Sequence, residues 1–273
     1  MLLSGANEGH TFFIKKSFYE SLWDSITVTS CTFSAGEIAV RHSHKEGQFA
    51  YVASGGISML TDKGNWVIPA RRAIWVPPNI GHEMHMLGAV TMLNMYLIDQ
   101  HANDASLPPH CQVFEVSDLL HQLLNAILPI NATISDRRRR INALLLDELS
   151  HMPSLPLSVP LPEEGRLLRA CKNFLSSPKQ TISIDEMASL AAMSRRNFTR
   201  QFREGTGMSF VSWRQHACIL EGVTRLNLGV AVKDVSISLD YSSTSAFCTA
   251  FRSLLGDPPS KYISDHKAPN PIY

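Results

Sequence analysis

Ser183-Ile184-Asp185-Glu186-Met187-Ala188-Ser189-Leu190-Ala191-Ala192-Met193-Ser194-Arg195-Arg196-Asn197-Phe198-Thr199-Arg200-Gln201-Phe202-Arg203 decides the fold of the second half of this 273-residue chain. Ser183 stands three residues before Glu186, the spacing of a capping box, in which a hydroxyl and a carboxylate each satisfy an orphaned helical N–H group. Met187, Ala188 and Ala191 fall on one apolar face. Ala192-Met193 reads as a turn, and Ser194 can cap a second helix. Phe198 and Phe202, four apart, share the buried side of that helix. Arg195, Arg196, Thr199, Arg200 and Arg203 are left to point outward. A short helix, a tight turn and a helix with a basic outer face make the shape that enters a DNA major groove.

The pattern returns downstream. Val232-Lys233-Asp234-Val235-Ser236-Ile237-Ser238-Leu239 is a second short amphipathic helix, and Asp240-Tyr241-Ser242 is its turn. Ser243-Thr244-Ser245-Ala246-Phe247-Cys248-Thr249-Ala250-Phe251-Arg252 repeats the outgoing helix, again with two Phe four apart. Phe210 to Leu228 reads as one long helix closed by Gly229, a fitting glycine just past a helix end. Two helix-turn-helix units, about 183–205 and 232–254, would thus hang on one rigid rod.

These residues resemble the DNA-binding domain of the AraC/XylS family of transcription regulators. Asp240 to Tyr262 is similar to the family's second-unit signature nearly throughout. Met193 to Phe202 and Thr206-Gly207-Met208-Ser209-Phe210 match the first unit. The resemblance covers about 100 residues. Two positions depart from it: Asp240 stands where the family has Gly, and Cys218 where an Arg commonly sits. Asp tolerates the left-handed backbone better than most residues, so the turn is expected to survive. The resemblance implies double-stranded DNA as partner, with activation of transcription through RNA polymerase. By matching positions, Arg196, Thr199 and Arg200 are the expected base readers and Arg195 and Arg203 the phosphate partners. In the second unit the outward positions are Thr244, Ser245 and Thr249, with Arg252 beside them. They are small and mostly neutral, so this head is expected to read less sequence.

Charge is divided along the chain. Residues 161–273 carry 14 Lys+Arg and 10 Asp+Glu, while residues 1–160 carry 11 and 14. A basic end behind an acidic one fits DNA binding through one end. The five cysteines are scattered and none pairs at zinc-motif spacing. No N-terminal apolar run and no span-length apolar stretch is present, so a cytoplasmic protein with no membrane partner is expected.

From Ile26 to about Ile98 the texture is that of short β-strands punctuated by Ser54-Gly55-Gly56, Asp62-Lys63-Gly64, Pro77-Pro78-Asn79 and Leu87-Gly88. Such spacing suggests a small barrel or jelly roll. Gly36, His42, His44, Gln48 and Gly55, followed by Pro77 and His82, resemble the two motifs of the cupin fold. Gln48 stands where cupin enzymes carry Glu, Asn79 replaces a Gly, and Met86 replaces the final Asn. Three imidazoles suit a divalent transition metal, with Gln48 as a neutral fourth ligand; equally, the same residues could line the mouth of a pocket for an organic effector. His85, three residues beyond His82, is expected on the opposite face. Phe49, Tyr51, Trp66, Trp75 and Tyr96 are candidate pocket walls. In the resembling family this domain is a small-molecule sensor without catalysis. The alternative is a metal-dependent cupin enzyme, a dioxygenase or isomerase, with an accessory DNA-binding tail; the missing Glu argues against it.

Val116–Leu128 and Ser135–Ser150 shift to helical period, with apolar faces at Leu119, Leu120, Leu123, Leu124 and Ile127 and at Ile141, Leu144, Leu145 and Leu149. The resemblance gives this helical hairpin the role of homodimer interface. Arg137-Arg138-Arg139-Arg140 reads as a solvated helix face. Pro153, Pro156, Pro160 and Pro162 stiffen a connector. The expected fold class is α+β in two domains. A cupin-like barrel spans residues 1–110, a helical hairpin 111–150, a proline-rich linker 151–162 and an all-α DNA-binding domain 163–273. The aromatics Phe12, Phe13, Phe18, Tyr19 and Trp23 suggest a lid or first strand over the barrel.

Overall fold

The computed structural model describes residues 26–130, 135–163 and 165–266. The aromatic N-terminal stretch lies outside them. Eight short strands fall where turn residues divide the sequence: β1 (Thr27–Phe33), β2 (Ile38–His42), β3 (Gly47–Ser54), β4 (Gly56–Thr61), β5 (Gly64–Pro69), β6 (Arg72–Val76), β7 (His82–Met86) and β8 (Val90–Leu97). Helix α1 (Asp99–Asp104) and β9 (Gln112–Glu115) follow. Then come α2 (Asp118–Ile127), α3 (Asp136–Ser150), β10 (Ser154–Leu155) and β11 (Ser158–Pro160). The strands form two antiparallel sheets, ordered β1-β8-β3-β6-β9-β10 and β11-β5-β4-β7-β2.

Strand alternation divides the side chains between two cores. Ala50, Val52, Ile74, Val76 and Met92 of the larger sheet join Ile57, Met59, Trp66, Ile68, Met84 and Met86 of the smaller one. Phe49, Tyr51, Ala73, Trp75, Leu93 and Met95 point the other way, toward Leu120, Leu124, Ile127, Ile141 and Leu145 of α2 and α3. Ser117 and Ser135 cap these two helices through their hydroxyls. Within the arginine run, Arg138 departs from the expected solvated face: it is buried, and its guanidinium donates to the Ile26 carbonyl oxygen at 3.2 Å.

The proline-rich segment is no free spacer. β10 pairs with β9 at the edge of the larger sheet and β11 with β5 at the edge of the smaller. Edge strands tolerate proline because one row of their N–H groups needs no partner.

Helices α4 (Gly165–Ser176), α5 (Ile184–Leu190), α6 (Arg195–Thr206), α7 (Phe210–Asn227), α8 (Val232–Ser238), α9 (Thr244–Leu255) and α10 (Pro259–His266) complete the chain. Phe198, Phe202, Phe210, Trp213 and Phe174 form one aromatic core, and Tyr241, Phe247, Phe251 and Tyr262 another. α7 runs between them. A Cβ added at its Gly222 would lie 2.9 Å from the Phe247 ring, so glycine permits the close approach of α9. α7 also packs on β4, β5 and β11. Cys218 is fully buried, and burial pushes its thiol up to about 12, so this position makes a core contact rather than a polar one. No described helix is long and apolar enough to cross a membrane.

Candidate nucleic-acid interface

The capping box forms as the sequence dictates: the Ser183 N–H donates to Glu186 Oε2 at 2.7 Å, and the Glu186 N–H to Ser183 Oγ at 3.2 Å. Glu186 is thereby held below the usual carboxylate range, chiefly by the Ser183 backbone bond. Ala192 closes the turn at φ 51°, and the corresponding Asp240 of the second pair at φ 56°. Asp240 adds contacts that glycine could not, to Lys179 Nζ and Thr181 Oγ1, each at 3.2 Å.

With Phe198 and Phe202 buried, the outer face of α6 is a shallow concavity lined by Arg195, Arg196, Thr199, Arg200, Arg203 and Glu204. The arginines differ in what holds them. Arg195 pairs with Asp185 at 2.9 Å. Arg200 pairs with Glu204 at 3.0 Å and donates to Asn197 Oδ1 at 3.0 Å. Arg196 and Arg203 make no hydrogen bond or ion pair among the described residues. Glu204 and Asn197 were not singled out by their residue type. Their i+4 and i−3 spacing from Arg200 is the available signal. On α9, Ser245, Thr249 and Arg252 are exposed, whereas Thr244 is half-buried with its hydroxyl 3.1 Å from that of Ser236. Thr244 therefore serves the contact between α8 and α9 as much as any outward one.

A second constellation lies at the mouth of the double sheet. His42 and His82 are partners across β2 and β7. The register shifts by one residue between Ala39 and His42. Without that bulge Arg41 would face inward and His42 outward. His44 follows in the turn, where its carbonyl accepts from the Asn79 N–H at 2.7 Å. Asn79 itself adopts φ 63°, the conformation glycine would supply. One nitrogen from each of the three rings lies within 4.8 Å of the others. Nδ1 of His42 lies 2.7 Å from the Val40 carbonyl oxygen and Nδ1 of His82 2.9 Å from that of Ile80. Both carbonyls require an Nδ1–H donor, which leaves Nε2 bare. Burial pushes His82 down to about 4 and lowers His44, so both rings are neutral at pH 7.

Gln48 is buried on the same inner surface. Its Nε2 donates to Asn94 Oδ1 at 2.9 Å, and its Oε1 has no hydrogen-bond partner among the described residues. Tyr96 stands edge-on to His44. Three of the five expected pocket walls are elsewhere: Phe49, Tyr51 and Trp75 face the helix layer, because odd positions of β3 and β6 point away from the other sheet. Tyr51 lies 2.8 Å from His121 Nδ1 through its hydroxyl, and the Trp75 indole donates to Pro108. Trp66 lies in the core between the sheets. His85 does face outward and pairs with Glu83.

A family model described as a helix-turn-helix domain matches residues 187–265. The chain is 27% identical over 227 residues to the HTH-type transcriptional regulator NimR of Escherichia coli (strain K12), covering 82% of this chain and 81% of that protein. It is 30% identical over 107 residues to the HTH-type transcriptional regulator RipA of Corynebacterium glutamicum, covering 38% of this chain and 32% of that one. It is 27% identical over 93 residues to the XylDLEGF operon transcriptional activator 2 of Pseudomonas putida, covering 33% of this chain and 59% of that one. A matched helix-turn-helix domain, with an alignment to a transcriptional regulator across four-fifths of both chains, marks this chain as a DNA-binding transcription regulator.

Proposed function

We propose that the chain reads DNA through two helix-turn-helix heads, α5–α6 and α8–α9, under the control of an effector bound by the N-terminal double sheet. The observation that carries this reading is the outer face of α6, where Arg196 and Arg203 are exposed with no protein partner among the described residues. Arg196, Thr199 and Arg200 read base edges, while Arg195 and Arg203 hold phosphates. A bidentate arginine–guanine contact discriminates by about 1–3 kcal/mol. α9 contributes Ser245, Thr249 and Arg252 and depends more on the DNA backbone.

The double sheet, whose expected bounds of 1–110 are extended by β9, β10 and β11, is a cupin-type sensor and not an enzyme; Gln48, where cupin enzymes carry Glu, is tied to Asn94. The helical hairpin, 111–150, joins two copies of the chain, a role supported by the exposed Leu119 and Leu144. Residues 151–162, which supply the edge strands β10 and β11, lead into the reader, 163–273. The protein acts in the cytoplasm as an activator that engages RNA polymerase, a reading supported by the Pseudomonas putida relative, a transcriptional activator. Arg196→Ala and Arg200→Ala, titrated on specific and on random duplex DNA, test the base readers. Each is expected to weaken specific binding by about 1–3 kcal/mol and random binding far less. Equal losses on both duplexes would refute the assignment.

A further inference from the structure

Reading DNA makes no use of His42, His44 and His82. Each ring offers one nitrogen within 4.8 Å of the other two. The carbonyls of Val40 and Ile80 fix the tautomers of His42 and His82 with Nε2 bare, the outer-sphere arrangement that metal-binding histidines use. Nε2 of His44 and of His82 are buried without a hydrogen-bond partner among the described residues, and such atoms in a folded protein call for an ion or an equivalent partner. The bulge in β2 exists at the one place that turns His42 inward and Arg41 outward.

We infer that His42, His44 and His82 bind one divalent transition-metal ion through their imidazole nitrogens, and that this ion is the input of the N-terminal domain. The second half of that statement rests on the sensor reading above; the first does not. The donor group is neutral and contains no carboxylate, so it selects zinc, nickel, cobalt or copper over magnesium and calcium, which require oxygen donors. Three protein ligands leave a coordination position open. Gln48, buried beside Tyr96, supplies a further acceptor on the same inner surface.

The fold also offers a route to the reader. Among the described residues β2 is the edge strand of its sheet and pairs only with β7, so an ion shared by His42 and His82 pins the two strands together. The same β7 turns His85 outward, where it lines, with Leu87, a cleft of about 220 Å³ closed by Leu220 and Glu221 of α7. A change in β7 is therefore felt by the helix that carries both heads.

The test uses the full chain, stripped by chelator and titrated with cobalt(II) by visible absorption and with zinc by calorimetry. One ion per chain is expected. His82→Ala and His44→Ala should each weaken binding by more than the roughly 10–100-fold that loss of an outer-sphere partner costs. His85→Ala, outside the group, should leave it unchanged. If His82→Ala loses its circular dichroism, His44→Ala decides, since His44 lies in a turn and is half-buried. No ion bound, or equal binding by wild type and His44→Ala, overturns the site. DNA affinity measured with and without zinc then tests the second half. An ion held by the histidines with unchanged DNA affinity overturns the input role alone, and failure to bind DNA under either condition counts against the regulator reading and not against the site.

Discussion

The indole N–H of Trp213 donates to the carbonyl oxygen of Pro160 at 2.7 Å, tying the long helix α7 to the strand that edges the smaller sheet. Trp213 is fully buried among Phe174, Phe202 and Phe210. Trp213→Phe keeps an aromatic ring there and removes the donor. Losing a part-buried hydrogen bond of this kind costs about 0.5–1.5 kcal/mol. Urea unfolding should show a loss of that size, and wild-type stability in the variant would mean that the bond adds nothing to the junction.

Ala192 and Asp240 take the left-handed conformation at equivalent turns. A side chain there costs about 1–2 kcal/mol, partly offset in an alanine-to-glycine change by the greater freedom glycine has when unfolded. Ala192→Gly is therefore expected to raise stability by about 0.5–1 kcal/mol. Asp240→Ala should lower it, because the strain stays while the bonds to Lys179 and Thr181 go. Thermal melts of both variants check the pair of signs; a destabilised Ala192→Gly would contradict the strain argument.

Glu204 holds Arg200 in an exposed i,i+4 pair, both side chains 60% accessible. Pairs of this kind contribute about 0.3–0.5 kcal/mol, so Glu204→Gln should hardly change the melting temperature. It should tighten DNA binding several-fold, since it frees an arginine and removes a carboxylate from the face proposed to meet DNA. Fluorescence anisotropy reads this directly. Weaker binding would show instead that Glu204 orients Arg200 for its contact.

The Ser183 bonds lower the pKa of Glu186 in the folded protein. A carboxyl depressed on folding adds stability above its ordinary value, about 4.3, and loses it as the pH falls through the lower folded value. The stability gap between wild type and Glu186→Gln should thus be full at neutral pH and shrink below about pH 4.3. Melts across pH 2.5–7 would measure it, and a gap that stays constant with pH would rule out the charged cap.

The reader helices were legible because their signals are local. Capping residues, paired Phe at i and i+4, and Gly229 each act within one or two turns of helix. The strands were legible for the same reason, since turn residues bracket each of them. What the sequence hid was long-range. The bulge that brings His42 opposite His82 depends on the register between two strands 40 residues apart. Phe49, Tyr51 and Trp75 look like barrel lining until the helices that cover the other face of their sheet are in place. Likewise, Pro153 to Pro162 read as a spacer, because pairing with β9 and β5 leaves no mark in composition.

Sequence-specific DNA reading is assigned above to α6. Footprinting the full chain on the DNA upstream of its own and neighbouring genes tests it most directly, with Arg196→Ala run in parallel. Protection is expected over roughly two helical turns per subunit, one major-groove head per turn, lost or shortened in the variant. Protection that is identical in the variant, or none on any such fragment, would contradict it.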